Sequence, residues 1–282
     1  MRQNIILSIQ DYKERLPLSE KKIAEYILEH TAEVLSLNAQ ELAKKAGSSP
    51  AAIIRFCHSI HVNGFTELKL LLSANLGQMT EEMYTEVEKN ESTEDIKKKL
   101  QARVVHVIER TNQSLKETAI EEAVTLIESA EIIYVYGLGA SSLVAQDIFQ
   151  KFTRLGRNVF TSLDHHLFAS ALGTSEKTGV LIAVSNSGGT LETNRLAKMA
   201  KAKKIPVIGI TTNEESLLAA TIDVLLLTTG QEDVPLRSAA TVSLTAQLYA
   251  VDVLFFAYAA KNYNSTLEKI QTSRENVNLL KE

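Results

Sequence analysis

Apolar positions change rhythm along the chain, and the change divides it in two. Over residues 1–78 they keep helical spacing. Ile23, Ala24, Ile27 and Leu28 form the i, i+1, i+4, i+5 stripe of a packed helix, with Ser19 expected to cap it. Asn38-Ala39-Gln40-Glu41 has the form of a capping box, with Asn in the usual Ser/Thr place, and opens a helix running through Ala46. Gly47-Ser48 breaks that helix. Ser49-Pro50 restarts one, with a hydroxyl at the N-cap and proline at the first helical position, where its missing N–H costs nothing. Ile53, Phe56, Cys57 and Ile60 mark the core side of this helix. After Gly64, the residues Phe65, Leu68, Leu71 and Leu72 mark one more amphipathic helix.

From about Gln101 helical stretches alternate with short apolar runs, which predict strands at Ile132–Tyr136, Asn158–Phe160, Val180–Val184, Val207–Ile210 and Val224–Leu227. Because these are unbroken runs and not alternations, both sheet faces are expected to be covered. A long apolar helix, about Ser238 to Tyr258, closes the pattern. The fold expected is an N-terminal all-α helix-turn-helix domain followed by a C-terminal α/β three-layer sandwich on a five-stranded parallel sheet. The boundaries read as 1–78 for the head, 79–105 for a helical connector and 106–282 for the sandwich. Residues 79–100, with seven acids and four lysines, supply the exposed face of that connector.

Composition narrows the function classes. At 282 residues and 45% hydrophobic, with four prolines, the chain suits folded globules. The single cysteine, Cys57, leaves no disulfide framework and no cysteine-based zinc site, and the six histidines are scattered, so neither metal nor cofactor is expected. Asp11 and Glu14 follow the first apolar patch too soon for a signal peptide, and no run reaches the roughly 18 apolar residues of a membrane span. A cytoplasmic protein without a membrane partner is expected. The net charge of −4 is uneven: residues 1–78 hold nine Lys/Arg against eight Asp/Glu, and the rest 21 against 26. A local surplus in the head is compatible with DNA as a partner.

Three constellations carry candidate chemistry. The first is the helix pair around Gly47-Ser48, which has the spacing of a DNA-binding helix-turn-helix. Its outward face is read as Ala51, Ala52, Arg55, His58 and Ser59, with Arg55 able to bridge a guanine edge or a phosphate, and Ser48 and Ser49 able to donate to phosphate. An ordinary helical hairpin with a solvated arginine has the same outline. The second is Ser185-Asn186-Ser187-Gly188-Gly189-Thr190, a strand-to-helix handover of hydroxyls and backbone N–H groups that suits a phosphate without a metal. Gly137-Leu138-Gly139-Ala140-Ser141-Ser142 follows another strand. Its third dinucleotide glycine is replaced by Ser142 and no acid ends the next strand, so a dinucleotide is disfavoured. Neither loop holds a lysine, which points to one phosphate on a small neutral body. The third is Asp164-His165-His166, either a helix N-terminus capped by Asp164 or ligands for a sugar hydroxyl or ring-opening acid–base groups, and Glu232, either a base or hydroxyl acceptor or a surface acid.

At these residues the chain resembles the RpiR family of bacterial transcription regulators over nearly its whole length. The head resembles it in Leu18-Ser19-Glu20, Ile23-Ala24, Glu41-Leu42-Ala43, Ala46-Gly47, Ser49, Ile54-Arg55-Phe56-Cys57 and Gly64-Phe65 with Leu68-Lys69. The second part resembles a sugar isomerase (SIS) domain in Gly137-x-Gly139-x-Ser141, Ser185-x-Ser187-Gly188-x-Thr190, Arg237-Ser238, Gln247 and Asp252. The resemblance implies an operator-binding homodimer or homotetramer whose SIS domain senses a phosphosugar effector, a hexose or amino-sugar phosphate among the candidates. The effector set expected is Gly137, Gly139, Ser141, Ser185, Asn186, Ser187, Gly188, Thr190, Glu232 and Arg237. Pro50, Ala52, Ile60-His61 and Gly189 depart from common family residues, which leaves operator sequence and effector identity open. The competing readings are a sugar-phosphate isomerase with a helical extension and a non-catalytic phosphosugar module acting on a protein partner.

Overall fold

The head is built from helices whose ends are encoded locally. In a computed structural model of the chain, residues 5–76, 89–230 and 240–280 are described. They divide into two units, Met1–His106 and Val107–Glu282. The first unit runs α1 (Ile5–Tyr12), a 3-10 turn (Lys13–Arg15), α2 (Leu18–Glu29), α3 (Thr31–Val34), α4 (Ala39–Lys45), α5 (Pro50–Ser59) and α6 (Phe65–Leu76), and includes the start of α7 (Thr93–Ser114). Residues 77–88, which include 79–88 of the expected connector, lie outside the described residues.

Three helix ends explain the turn. The Asn38 side chain accepts from the N–H groups of Gln40 and Glu41 at 3.0 Å each, while the Glu41 carboxylate accepts from the Asn38 N–H at 2.8 Å, so the capping box is complete. At the other end of α4, Gly47 sits at φ 60 and the Ser48 and Gly47 N–H groups donate to Ala43 and Lys44 carbonyls, a Schellman closure. Ser49 then accepts from the Ala52 N–H at 3.3 Å with Pro50 at the first helical position. Ser19, by contrast, caps nothing. The helix opens earlier, at Leu18, because Pro17 already has an entry φ of −54 and its carbonyl accepts from Glu20 and Lys21. Ile23, Ile27, Leu42, Ile53, Phe56, Cys57 and Ile60 are fully buried together.

The second unit continues with α8 (Glu117–Ser129), β1 (Ile132–Gly137), α9 (Ala140–Arg154), β2 (Val159–Thr161), α10 (His165–Thr174), β3 (Gly179–Val184), α11 (Leu191–Ala202), β4 (Val207–Thr211), β5 (Val224–Leu227), α12 (Thr241–Lys261) and α13 (Tyr263–Leu279). The five strands are all parallel, as the apolar runs predict, in the order β2-β1-β3-β4-β5. Ile133, Val135, Val180 and Ile182 face a core shared with α8, α9 and α12, whereas Tyr134, Tyr136, Leu181 and Ala183 face one shared with α10 and α11. Consecutive strand residues thus alternate faces, yet all are apolar because both faces are covered.

One sequence expectation is corrected here: α12 is long and apolar enough to cross a membrane by length and composition. Its apolar residues have another use. Ala246, Ala250, Val251 and Leu254 are buried, the last two in the core of the sheet.

Candidate functional site

Strand order sets the place of the first site. The chain adds β2 on one side of β1 and β3, β4 and β5 on the other, and the helices that follow β1 and β3 pack on opposite faces. A crevice opens at the carboxyl ends of strands where the order reverses in this way. Gly137 pairs with Val184 across β1 and β3, so the Gly137–Ser142 loop and the Ser185–Thr190 loop leave the sheet side by side. Gly137 is required there, since a Cβ would stand 2.5 Å from the Ser141 carbonyl oxygen.

The Ser185–Thr190 loop is held from behind. The Asn186 carbonyl accepts from both the Thr211 and Thr212 hydroxyls and from the Thr212 N–H, each at 2.9 Å, and its side-chain oxygen accepts from Gln247 Nε2 at 3.4 Å. Asn194 Nδ2 donates to the Gly188 and Thr190 carbonyls at 3.0 and 2.9 Å. With its carbonyls so engaged, the loop presents donors: the Ser185 and Thr190 hydroxyls lie 2.9 Å apart and Ser187 is exposed. Thr190 precedes α11 without making a side-chain cap, and Gly139 precedes α9 likewise. Both helices begin at the crevice, so both dipoles turn their positive ends toward it; in α9 the Ser141 and Ser142 N–H groups donate back to the Leu138 and Gly139 carbonyls at 3.1 and 3.0 Å. Two helix N-termini and a cluster of hydroxyls have the chemistry that suits one compact dianion, and neither loop holds a lysine to grip a polyphosphate.

Of the effector residues expected from the sequence, Gly137, Gly139, Ser141, Ser185, Asn186, Ser187, Gly188 and Thr190 come together on these two loops, and Glu232 and Arg237 lie outside the described residues. Asp164 is the N-cap of α10. It accepts from the His166 and Leu167 N–H groups, and those bonds hold its carboxyl below the usual range. His165 and His166 are exposed in the first turn, their ring centroids 4.7 Å apart. Sequence reasoning missed the loop clamps Asn194, Thr211 and Thr212, whose role depends on strand neighbours distant in the chain. Among the described residues no three of His, Cys, Asp or Glu stand together as metal ligands would.

The second site is the α4–α5 pair. Ala51, Arg55 and His58 are exposed on α5, as expected. Ala52 is not: it is fully buried, and its small side chain faces the helical core. Ile54 takes its place at 46% exposure, so the outward stripe is Ala51, Ile54, Arg55 and His58, at i, i+3, i+4 and i+7. Two hydroxyls expected to face outward are engaged inside the head. Ser48 donates to the Ser19 carbonyl and Ser59 to the Glu20 carboxylate, each at 2.8 Å. Arg55 Nε stands 3.6 Å from the other Glu20 oxygen. Ser49 accepts from the Ala52 N–H and so keeps its own hydroxyl hydrogen for donation.

Comparison with known proteins matches both halves. The helix-turn-helix domain of the rpiR family matches residues 3–79, and the SIS domain matches residues 125–257. The uncharacterized HTH-type transcriptional regulator YbbH of Bacillus subtilis (strain 168) is 36% identical over 94% of each chain. An uncharacterized HTH-type transcriptional regulator of Thermotoga maritima is 33% identical over 99% of each chain. Among solved structures, the Vibrio vulnificus NanR protein complexed with ManNAc-6P is similar with a TM-score of 0.62 and 26% identity, covering 98% of this chain and 99% of that one. With a helix-turn-helix head and a parallel sheet of SIS type in one chain, the protein belongs to the rpiR family of helix-turn-helix transcriptional regulators.

Proposed function

We propose that this regulator's hold on operator DNA is controlled by a phosphosugar seated in the crevice between β1 and β3. The observation that carries the reading is the meeting of two helix N-termini and the hydroxyls of Ser141, Ser185, Ser187 and Thr190 at one point of the sheet. The similar NanR protein was solved with ManNAc-6P, an amino-sugar phosphate, which supports this ligand class. Ser141, Ser185, Ser187 and Thr190 bind the phosphate, and Glu232 and Arg237 complete the site. Operator contacts come from Ser49, Ala51, Arg55 and His58, with residues 1–78 as the DNA-binding part, 79–105 as connector and 106–282 as sensor, working in the cytoplasm.

The sensor binds its ligand without converting it. Aldose–ketose isomerisation needs a base within reach of the C1–C2 protons and a group to open the ring. Glu232 and one of His165 or His166 are the candidates, and Asp164 beside the two histidines already serves as the helix cap. The regulator works as a homodimer or homotetramer. Leu244, Leu248 and Phe255 are only half-buried on α12, and Phe256 is 65% exposed, which favours a self-complementary contact.

Thermal melting with a panel of hexose, amino-sugar and pentose phosphates tests the reading. A bound phosphosugar raises the melting temperature, its unphosphorylated parent does not, and no interconversion of the stabilising sugar is detected. Ser187→Ala is expected to weaken that binding about tenfold, the loss of one charge-assisted hydrogen bond. Equal stabilisation by sugar and sugar phosphate contradicts the phosphate cradle. Turnover abolished by Glu232→Gln favours the isomerase.

A further inference from the structure

We propose that Glu20, on α2 and outside the reading helix, is the positioning residue of the DNA reader: it aligns Arg55 before DNA arrives. The inference rests on the reading of α5 as the operator-contacting helix.

Glu20 is the third residue of α2 and only 3% exposed. A buried carboxylate is costly unless its oxygens are engaged. Both are engaged by α5: one accepts from the Ser59 hydroxyl at 2.8 Å, the other stands 3.6 Å from Arg55 Nε. Ser59 and Arg55 are one helical turn apart, so a single carboxylate spans their shared face. The preceding residue completes the hold, because the Ser19 carbonyl accepts from Ser48 just before α5 begins. The first turn of α2 thus grips the reading helix near both ends. The N-terminal dipole of α2 further favours the negative charge.

The geometry of the arginine contact points to positioning and not to concealment. Nε is the guanidinium nitrogen nearest the chain, and the side chain is 58% exposed. The two terminal nitrogens form the fork that meets guanine O6 and N7. A guanidinium held at Nε has fewer orientations to lose on binding, which is how a fixed side chain gains affinity. An apolar residue at position 20 would fill the space with less desolvation cost, but would leave Arg55 unaligned.

The test is a double-mutant cycle on the full chain. The probe is a duplex selected by the wild-type protein from a random-sequence pool, with a scrambled duplex of the same length as control. Glu20→Gln is expected to weaken the selected duplex about tenfold and the scrambled one less than twofold. In an Arg55→Ala background Glu20→Gln should change neither by more than twofold. Equal losses in both backgrounds, or on both duplexes, overturn the proposal and make Glu20 a structural residue. If Glu20→Gln fails to melt cooperatively, Glu20→Asp keeps the charge but shortens its reach, and the same cycle is read with it. A pool from which the wild-type chain enriches nothing removes the DNA reading itself, and the proposal with it, a result distinct from an additive cycle.

Discussion

At the scale of single residues the structure turns on small atoms in tight places. Gly188 sits at φ 66, and a Cβ there would overlap the Ser216 side chain, so the donor loop can take no larger residue. Gly188→Ala is expected to lower stability by about 1–3 kcal/mol, read as a drop in the thermal midpoint, and to weaken phosphosugar binding with it. An unchanged midpoint would mean the loop has room the structure does not show. Cys57 is fully buried, and burial pushes its thiol from an ordinary value of 9.0 up to about 11. The unfolded chain therefore loses this proton first as pH rises. The residue's contribution is whole below pH 9 and declines as pH climbs toward 11. A thiol reagent at pH 8 should leave native protein unlabelled and label it fully in denaturant; rapid native labelling would contradict the burial. Cysteine burial was legible from the helical stripe. The outward face of α5 was only partly so. Ala52 is read outward because alanine is compatible with either face, and only the packed neighbours on α2 and α4 turn it inward and leave Ile54, which the stripe does not assign, exposed.

Elements were legible where their signals are local. The Asn38 box, the Gly47 closure and the Ser49-Pro50 start are each written in four residues or fewer, and each forms as its residues specify. Asn38→Ala should cost about 1 kcal/mol by urea or thermal melting, since it orphans two N–H groups at the start of α4. A loss below a few tenths would show that α4 is held by packing alone. Every strand was found, and β1, β3 and β4 each extend past the predicted run by a residue, in two cases to include a glycine that no apolar count would add. The Ser19 cap failed because proline at 17 supplies the entry geometry without a side-chain acceptor. The clamps on the donor loop were hidden for a different reason. Thr211 and Thr212 reach Asn186 from β4 and its following loop, and strand order, which brings them together, is not a local property of sequence.

At the scale of the whole molecule, a reader of DNA and a holder of phosphate share one chain, and regulation requires that the two bindings be coupled. Coupling is reciprocal: a ligand that changes DNA affinity by some factor has its own affinity changed by the same factor when DNA is bound. The most direct measurement is fluorescence anisotropy of the full chain on its selected duplex at fixed salt, with and without a saturating phosphosugar chosen by thermal shift. The account predicts a change in DNA affinity of at least about fivefold, in either direction. It also predicts that the unphosphorylated sugar leaves the affinity unchanged, and that Ser187→Ala needs about tenfold more phosphosugar for the same effect. DNA affinity that stays constant while the phosphosugar is demonstrably bound would contradict the account.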